Sequence, residues 1–433
     1  MNKVFLLSNA VIASPGLFIE DGEILIENGK IVSVGEKGSS AVPEGTKEWD
    51  LGGRITMPGL VNPHTHLYSE LSTGLSPKGP VDDFEAVLKN FWWPLDAVHD
   101  EESVYFSAVS GIIDAVKHGV TCVFDHHASM NYVGGSLDTI VKAFSLAGLK
   151  SVCCFEASER PGAYPVSRHF EESLGFIDKH RDSSLVKGML GLHANFTLTK
   201  NSLKLVSEMT KGAAVDYPVH VHCGEAEADF EFCKNDGFSG PVDRLNSFGL
   251  LSPNSILAHC IHLSDKDRTV LNEIQPFIVS NPESNANNRV GRPDRSRFPA
   301  YLIGTDGMSF DMIASLRSQY LLGRGLSEDF SELYSAFIEE PANLLNSFFP
   351  TTGKLEAGRD ADVAVLDYIP QTPISRENLI GHLIFGAKGG KVFMTIASGR
   401  ILYNDGRLTF TYETALREQI KEAALKLHRR YHG

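Results

Sequence analysis

"MPGLVNPHTHLYSE", residues 57–70, joins two kinds of sequence. Upstream, "EILIENGKIVSVGE" (23–36) alternates apolar and polar residues around Asn28-Gly29, a pair that closes two-residue hairpins. Downstream, short runs that are apolar on both faces recur between helix-like segments such as 100–118, 136–147 and 200–212. These runs are "GVTCVFDHH" (119–127), "LKSVCCFE" (149–156), "VKGMLGLH" (186–193), "YPVHVHCGE" (217–225), "NSILAHC" (254–260), "QPFIVSNPE" (275–283) and "YLIGTDG" (301–307). Continuous apolar runs that alternate with helices predict a parallel sheet covered by helices. Pro58-Gly59 is then the punctuation between the two regimes, and "LVN" is the first strand of the second.

With that first run there are eight strand candidates, the number that closes a (β/α)8 barrel. The chain's far end returns to alternation, in "ADVAVLDY" (361–368) and "KVFMTIASGRILYNDGR" (391–407). The expected fold class is therefore α/β: a TIM barrel over 57–349, with a small β-sandwich domain built from residues 1–56 and 350–433. The final stretch, 412–432, has the pattern of an amphipathic helix packed on the outside.

The 433 residues carry 40 Lys and Arg against 54 Asp and Glu, a formal charge of −14, which argues against a nucleic-acid partner. Six cysteines in so long a chain do not form a disulfide framework. No run approaches the ~18 uninterrupted apolar residues of a membrane span, and the N-terminus is a poor signal peptide. The expectation is a cytoplasmic, reduced protein with no membrane partner.

The chemistry lies at the end of each run. The strand ends bear His64 and His66, His126 and His127, Glu156, His193, His222 with Glu225, His259, Asn281 and Asp306. One histidine at a strand end is usually a hydrogen-bonded structural residue, but eight strands ending in such groups point to a site at the barrel mouth, where barrel enzymes keep their chemistry. Residues i and i+2 of a strand face one side, so His64 and His66 can converge on one cation. Imidazole and carboxylate donors suit Zn²⁺ first, and Fe²⁺, Mn²⁺ or Ni²⁺ satisfy the same donors. Cys223 and Cys260 alternate away from that face.

"PGLVNPHTH", "HVHCGE", "LAHCIHLS", "NPESN" and "IGTDG", in this order, resemble the amidohydrolase superfamily across essentially the whole chain. More narrowly they resemble the cytosine deaminase-like branch, with the atrazine and triazine chlorohydrolases and the guanine and adenosine-type deaminases. "NFWWPLDAVHDEESVYFSAV", "DHHAS", "GGSLDTI", "CFEASER" and "GHLIFGAKGG" are similar to aminohydrolases associated with selenium metabolism. The resemblance implies one divalent metal held by His64, His66, His222 and Asp306. It makes Glu225 the proton shuttle, with His259 and Asp306 orienting a metal-activated hydroxide. Binuclear relatives place a bridging lysine or glutamate at the fourth strand; "MLGLHANF" (189–196) has no lysine, which implies a single metal.

The implied reaction is deamination of a purine-, pyrimidine- or pterin-like ring, a small-molecule heterocycle. The alternatives are chlorohydrolysis, cyclic amide or imide hydrolysis, and a non-catalytic binding protein. The last is expected to have lost ligands, whereas all six residues are present. His193, His126, Glu156, Arg160 and Trp92 are the candidate substrate contacts. His126 and Glu156 could equally support the metal ligands, and Trp92 and Trp93 could be core anchors. Glu70 is expected either at the mouth or on a solvated helix face. A homo-oligomer is implied by resemblance alone.

Overall fold

The computed structural model describes residues 4–212, 217–294, 300–324 and 329–433. Its strands, in chain order, are β1 (Val4–Ser14), β2 (Leu17–Glu27), β3 (Lys30–Glu36), β4 (Lys47–Pro58), β5 (Leu60–Thr65), β6 (Val120–His127), β7 (Lys150–Phe155), β8 (Val186–Gly188), β9 (Leu190–Ala194), β10 (Val219–Cys223), β11 (Ile256–His259), β12 (Phe277–Ser280), β13 (Leu302–Ile303), β14 (Val363–Leu366), β15 (Val392–Ala397), β16 (Arg400–Asn404) and β17 (Arg407–Leu408).

Strands from both chain ends form one eight-stranded sheet, in the order β17-β16-β15-β14-β4-β1-β2-β3. One face encloses a core of its own, in which Leu7, Ile12, Ile24 and Ile26 meet Val363, Val365, Met394 and Ile396. The other face, through Val11, Ile55, Met57 and Ala364, joins the core of the barrel and its helices. Asn28 and Gly29 both have positive φ (51° and 84°), the conformation of a two-residue hairpin turn. A Cβ on Gly29 would lie 2.9 Å from the Ser398 carbonyl oxygen, so the turns from opposite ends of the sequence abut backbone to backbone.

β5 to β13 are parallel and form two sheets, β5-β6-β7-β8 and β13-β12-β11-β10-β9. Isolated parallel bridges Thr65↔Asp306 and Ala157↔Leu192 join them, so β5 meets β13 and β7 meets β9. The fourth barrel strand is β8 and β9 together, broken at the buried Met189. Helices cover the outside. The first long one, Glu101–Lys117, starts at a capping box from Asp100 and Ser103, has Glu101 and Glu102 in its first turn and Lys117 in its last. Helices Ser136–Ala147 and Lys200–Thr210 follow, and Glu413–His432 closes the chain.

Candidate functional site

Each barrel strand changes character along its inward column. Low in the barrel, Cys122 and Phe124 of β6, Val152 and Cys154 of β7, Ile256 of β11 and Val279 of β12 belong to one dry cluster. Two residues further on, the same alternation delivers His126 on β6 and Glu156 just past β7. The mouth therefore concentrates imidazoles and carboxylates above an apolar floor.

His64 and His66 leave β5 with ring centroids 5.0 Å apart. His66 Nδ1 donates to the His126 carbonyl at 2.6 Å, which turns its Nε2 inward. That Nε2 lies 2.9 Å from Asp306 Oδ1 and 3.2 Å from His222 Nε2. His64 Nε2, buried and without a hydrogen-bond partner, is 3.6 Å from the same Oδ1. Burial lowers the His66 imidazole, yet Asp306 raises it to about 9, so positive charge is favoured here. Converging lone pairs around one carboxylate are what a divalent cation satisfies, and these residues fit one. Donor atoms of His64, His222, His259 and Asp306 all lie within 4.8 Å of one another. The same holds for His66, His126, Glu156 and His222.

The backbone is strained where it places these groups. His259 and Asp306 have positive φ (73° and 55°), a left-handed conformation costing a bulky residue about 1 kcal/mol or more. The Asp306 amide donates to the His64 carbonyl at 3.0 Å, and Thr65 Oγ1 donates to the Asp306 carbonyl at 2.8 Å. Gly224, at φ 58°, turns the chain out of β10; a Cβ there would come within 2.6 Å of the His262 carbonyl oxygen. Only a glycine lets Glu225 swing into the mouth.

Glu225 Oε1 accepts from Asn288 Nδ2 at 3.3 Å, and Oε2 lies 3.7 Å from His259 Nε2. Burial pushes the Glu225 carboxyl up to about 7. His259 donates from Nδ1 to Asn285 Oδ1 at 2.7 Å, so its unpartnered Nε2 presents a lone pair between Glu225 and Asp306 Oδ2, 3.8 Å away. Ser284 Oγ donates to that Oδ2 at 2.5 Å. Ser284, Asn285 and Asn288 sit on or just past the short helix Pro282–Asn287, which the "NPESN" motif opens.

His66, His222, Glu225 and Asp306 line a pocket together with the predicted Glu156, Arg160, His193 and Trp92. The far wall is a buried charge chain. Glu156 Oε2 is 3.2 Å from His126 Nδ1, Glu156 Oε1 is 2.8 Å from Arg160 Nη2, and that nitrogen is 3.1 Å from Asp96 Oδ2. Burial alone would raise Glu156, but Arg160, His193 and His126 hold it well below the usual carboxylate range. His193 bonds Thr197 Oγ1 through Nδ1 at 2.8 Å and keeps Nε2 3.6 Å from Glu156 Oε1.

His126 lies deeper than the pocket lining, fully buried, with Nε2 donating to the His220 carbonyl at 3.0 Å. Trp92 faces the pocket; Trp93 does not line it. Glu70 meets neither expectation: it lies off the pocket against Gly111 of helix Glu101–Lys117, and burial raises its carboxyl to about 8. Cys223 and Cys260 are buried away from the donors, and all six cysteines are free.

Sequence reasoning missed His220, whose Nε2 is 2.8 Å from His64 Nδ1 and fixes that ring. The signal was present, since His220 shares the His222 face of β10 two residues earlier. It also missed Ser284, Asn285, Asn288, Tyr68 and Asp96.

The sequence profile of the amidohydrolase family matches residues 55–402. The chain belongs to the amidohydrolase family. This amidohydrolase, a hydrolytic enzyme, is 27% identical to the 5-methylthioadenosine/S-adenosylhomocysteine deaminase of Desulfitobacterium hafniense, over 98% of each chain. An adenosine deaminase from Xanthomonas campestris with bound zinc superposes with a TM-score of 0.85 at 22% identity, over 98% of each chain. A mutant atrazine chlorohydrolase from Arthrobacter aurescens, complexed with zinc and atraton, gives 0.82 at 19% identity, over 97% of this chain and 100% of that one. At such identities the two structures share the fold. Among the described residues, no helix is long and apolar enough to cross a membrane.

Proposed function

We propose that this amidohydrolase deaminates a nitrogen heterocycle, with a purine-like ring the leading substrate class. His64, His66, His222 and Asp306 would hold one divalent metal, Zn²⁺ by the chemistry of its donors. A metal bound there supplies a Lewis acid and an activated water with a pKa brought to about 7. The observation that carries the reading is the pair Glu225 and His259: a carboxyl on the pocket lining, raised to about 7, and behind it an imidazole nitrogen 3.7 Å away.

Glu225 holds a proton near neutrality and delivers it from Oε2 to a ring nitrogen. The adjacent ring carbon becomes electrophilic, and a water oxygen adds to it while its proton passes to His259 Nε2 or Asp306 Oδ2. The hydroxyl of the adduct passes its proton to the Glu225 carboxylate and on to the exocyclic amine, the C–N bond breaks to leave an oxo ring and ammonia, and the proton held by His259 or Asp306 returns to Glu225. Such proton transfer contributes about 10²–10⁴ in rate. His193 and Trp92 would bound the ring, and Glu156 with Arg160 would form the wall beyond it. The deaminase relative at full-length coverage supports the reaction type and the purine class. Six free, buried cysteines support a reducing, cytoplasmic setting.

The test is release of ammonia, chloride or ring-opened acid by purified, zinc-loaded protein given adenine nucleosides, guanine, pterins, pyrimidines, cyclic imides and amino- or chlorotriazines. Release from a purine, abolished in Glu225→Gln, is the expected result. Turnover of chlorotriazines or cyclic imides alone would overturn it.

A further inference from the structure

Between β5 and helix Glu101–Lys117 the chain makes a long excursion that supplies Tyr68, Ser69, Phe84, Leu88 and Trp92 to the pocket. Ser107 holds the Leu67 and Tyr68 carbonyls at the start of this segment, and the Met130 amide and the Asn131 side chain hold the Asp96 and Ala97 carbonyls near its end. Its helix, 84–96, runs through three abutting stretches, Phe84–Val87, Leu88–Trp92 and Trp93–Asp96, the middle one a π-turn, and a helix of about this length is marginal without tertiary support.

From inside, Arg160 holds Asp96 at 3.1 Å. From outside, three side chains of the C-terminal helix Glu413–His432 take its backbone carbonyls. His428 Nε2 donates to Leu71 O at 2.8 Å, Tyr431 Oη to Asn90 O at 3.2 Å, and Arg430 Nε to Val98 O at 2.9 Å. These carbonyls lie near the beginning, middle and end of the excursion. Arg430 Nη2 also reaches Asp100 Oδ1, the N-cap of the next helix, at 2.9 Å. Tyr431 is fully buried, and its ring begins an aromatic path: 6.2 Å to Phe91, 4.8 Å from Phe91 to Trp92, and 6.5 Å from Trp92 to Tyr68. Tyr68 in turn stacks edge-on to His66 at 5.5 Å. The end of the sequence is thus coupled by contact to a candidate metal ligand.

We propose that the C-terminal helix is the outer scaffold of the substrate wall, with Tyr431, Arg430 and His428 as positioning residues for Phe84, Leu88 and Trp92. The helix also ion-pairs with the barrel helix Glu101–Lys117, through Lys426 with Glu102 and Glu413 with Lys117, but its last turn sends these three bonds to the backbone of the excursion. The consequence is a role in substrate binding, since none of the three touches the proton-transfer groups. The kinetic part of the test rests on the deaminase reading, and the exchange part does not.

Hydrogen–deuterium exchange of the zinc-loaded full chain separates the two. In Tyr431→Ala, exchange over 84–96 should rise about tenfold while that of β10 stays unchanged, because local opening is independent of the barrel. KM for the deaminated heterocycle should rise about tenfold with kcat within about twofold, the mark of lost uniform binding. Tyr431→Phe keeps the ring against Phe91 and should restore most of the protection and of the KM. Should Tyr431→Ala fail to fold, Arg430→Gln decides through exchange over 93–100. Unchanged exchange in the excursion, or a rise spread evenly through the barrel, would overturn the assignment. If no heterocycle is turned over, only the function reading falls, and the exchange result still judges the scaffold.

Discussion

Asn285 holds His259 in one tautomer: its Oδ1 accepts the Nδ1 proton at 2.7 Å, and the lone pair at Nε2 is left between Glu225 and Asp306. In the proposed reaction Asn285 acts on the proton-transfer groups through the His259 ring. Asn285→Leu removes the acceptor at little change in volume, and kcat should fall about 10²-fold with metal content unchanged. Metal analysis beside steady-state kinetics checks this, and a loss of metal would contradict it.

Glu225→Gln keeps the shape and the Asn288 contact but has no proton to give. Zinc content should stay at the wild-type level while turnover drops by about 10²–10⁴. Loss of the metal, or a full rate, would remove the shuttle role.

The pH profile follows from burial, which raises Glu225 to about 7. A donor works only while protonated, so kcat/KM should decline as pH rises through that value. Glu225→Asp should move this alkaline limb. A flat profile between about pH 6 and 9 would show that another group limits the rate.

His66→Ala removes the Nε2 that lies 2.9 Å from Asp306 Oδ1, and with it the metal. Chelation of the wild type should mimic it, abolishing activity and lowering the unfolding midpoint, with both restored by Zn²⁺. The His66→Ala protein should gain neither. Retained stoichiometric zinc in this variant would break the proposed ligand set.

Lys150 opens β7 and its Nζ sits 2.7 Å from Asp362 and 3.2 Å from Asp360, at the seam between barrel and chain-end sheet. Lys150→Met leaves the buried Asp362 without its cation, while Asp360 keeps Lys30, and should cost about 3–5 kcal/mol, read by chemical denaturation. Burial raises Asp360, but Lys30 and Lys150 outweigh it and hold the carboxyl below its ordinary value. Its contribution is present above the unfolded carboxylate pKa of about 4 and is lost as pH falls through the lower folded value. The acid limb of the wild-type stability curve should therefore be shallower in Lys150→Met.

The fold was legible because its signals are local. Eight apolar runs, the Asn28-Gly29 turn and the polar groups at the strand ends all lie within windows of a few residues. His64 with His66, and His222 with Glu225, are spaced by the backbone itself. The supporting residues are a different matter. Asn285 is 26 residues from His259, and Asp96 meets Arg160 across the gap between an excursion and a β7 loop. Asparagine and serine on a short helix are ordinary residues, and nothing near them says which distant ring they hold. His220 was the exception, readable by the same i+2 rule that found His64 and His66. Glu70 shows the converse: helical spacing suggested solvent or the mouth, and packing against Gly111 overrode both.

The sheet that combines both chain ends sets an order of events during synthesis. β4 pairs with β14 only at Thr56–Pro58, and β14 leaves the ribosome about 300 residues later. At translation speeds of about 5–20 residues per second, the β4 edge waits roughly 15–60 s for its neighbour. Lys47, Glu48, Asp50 and Arg54, with the glycine pair at 52 and 53, make that edge a poor template for another chain. The same charges go on to serve the finished sheet, where Asp50 accepts from Asn9 and Gly52 and Arg54 lies over the Phe393 ring, so one set of residues guards the edge first and fastens it afterwards.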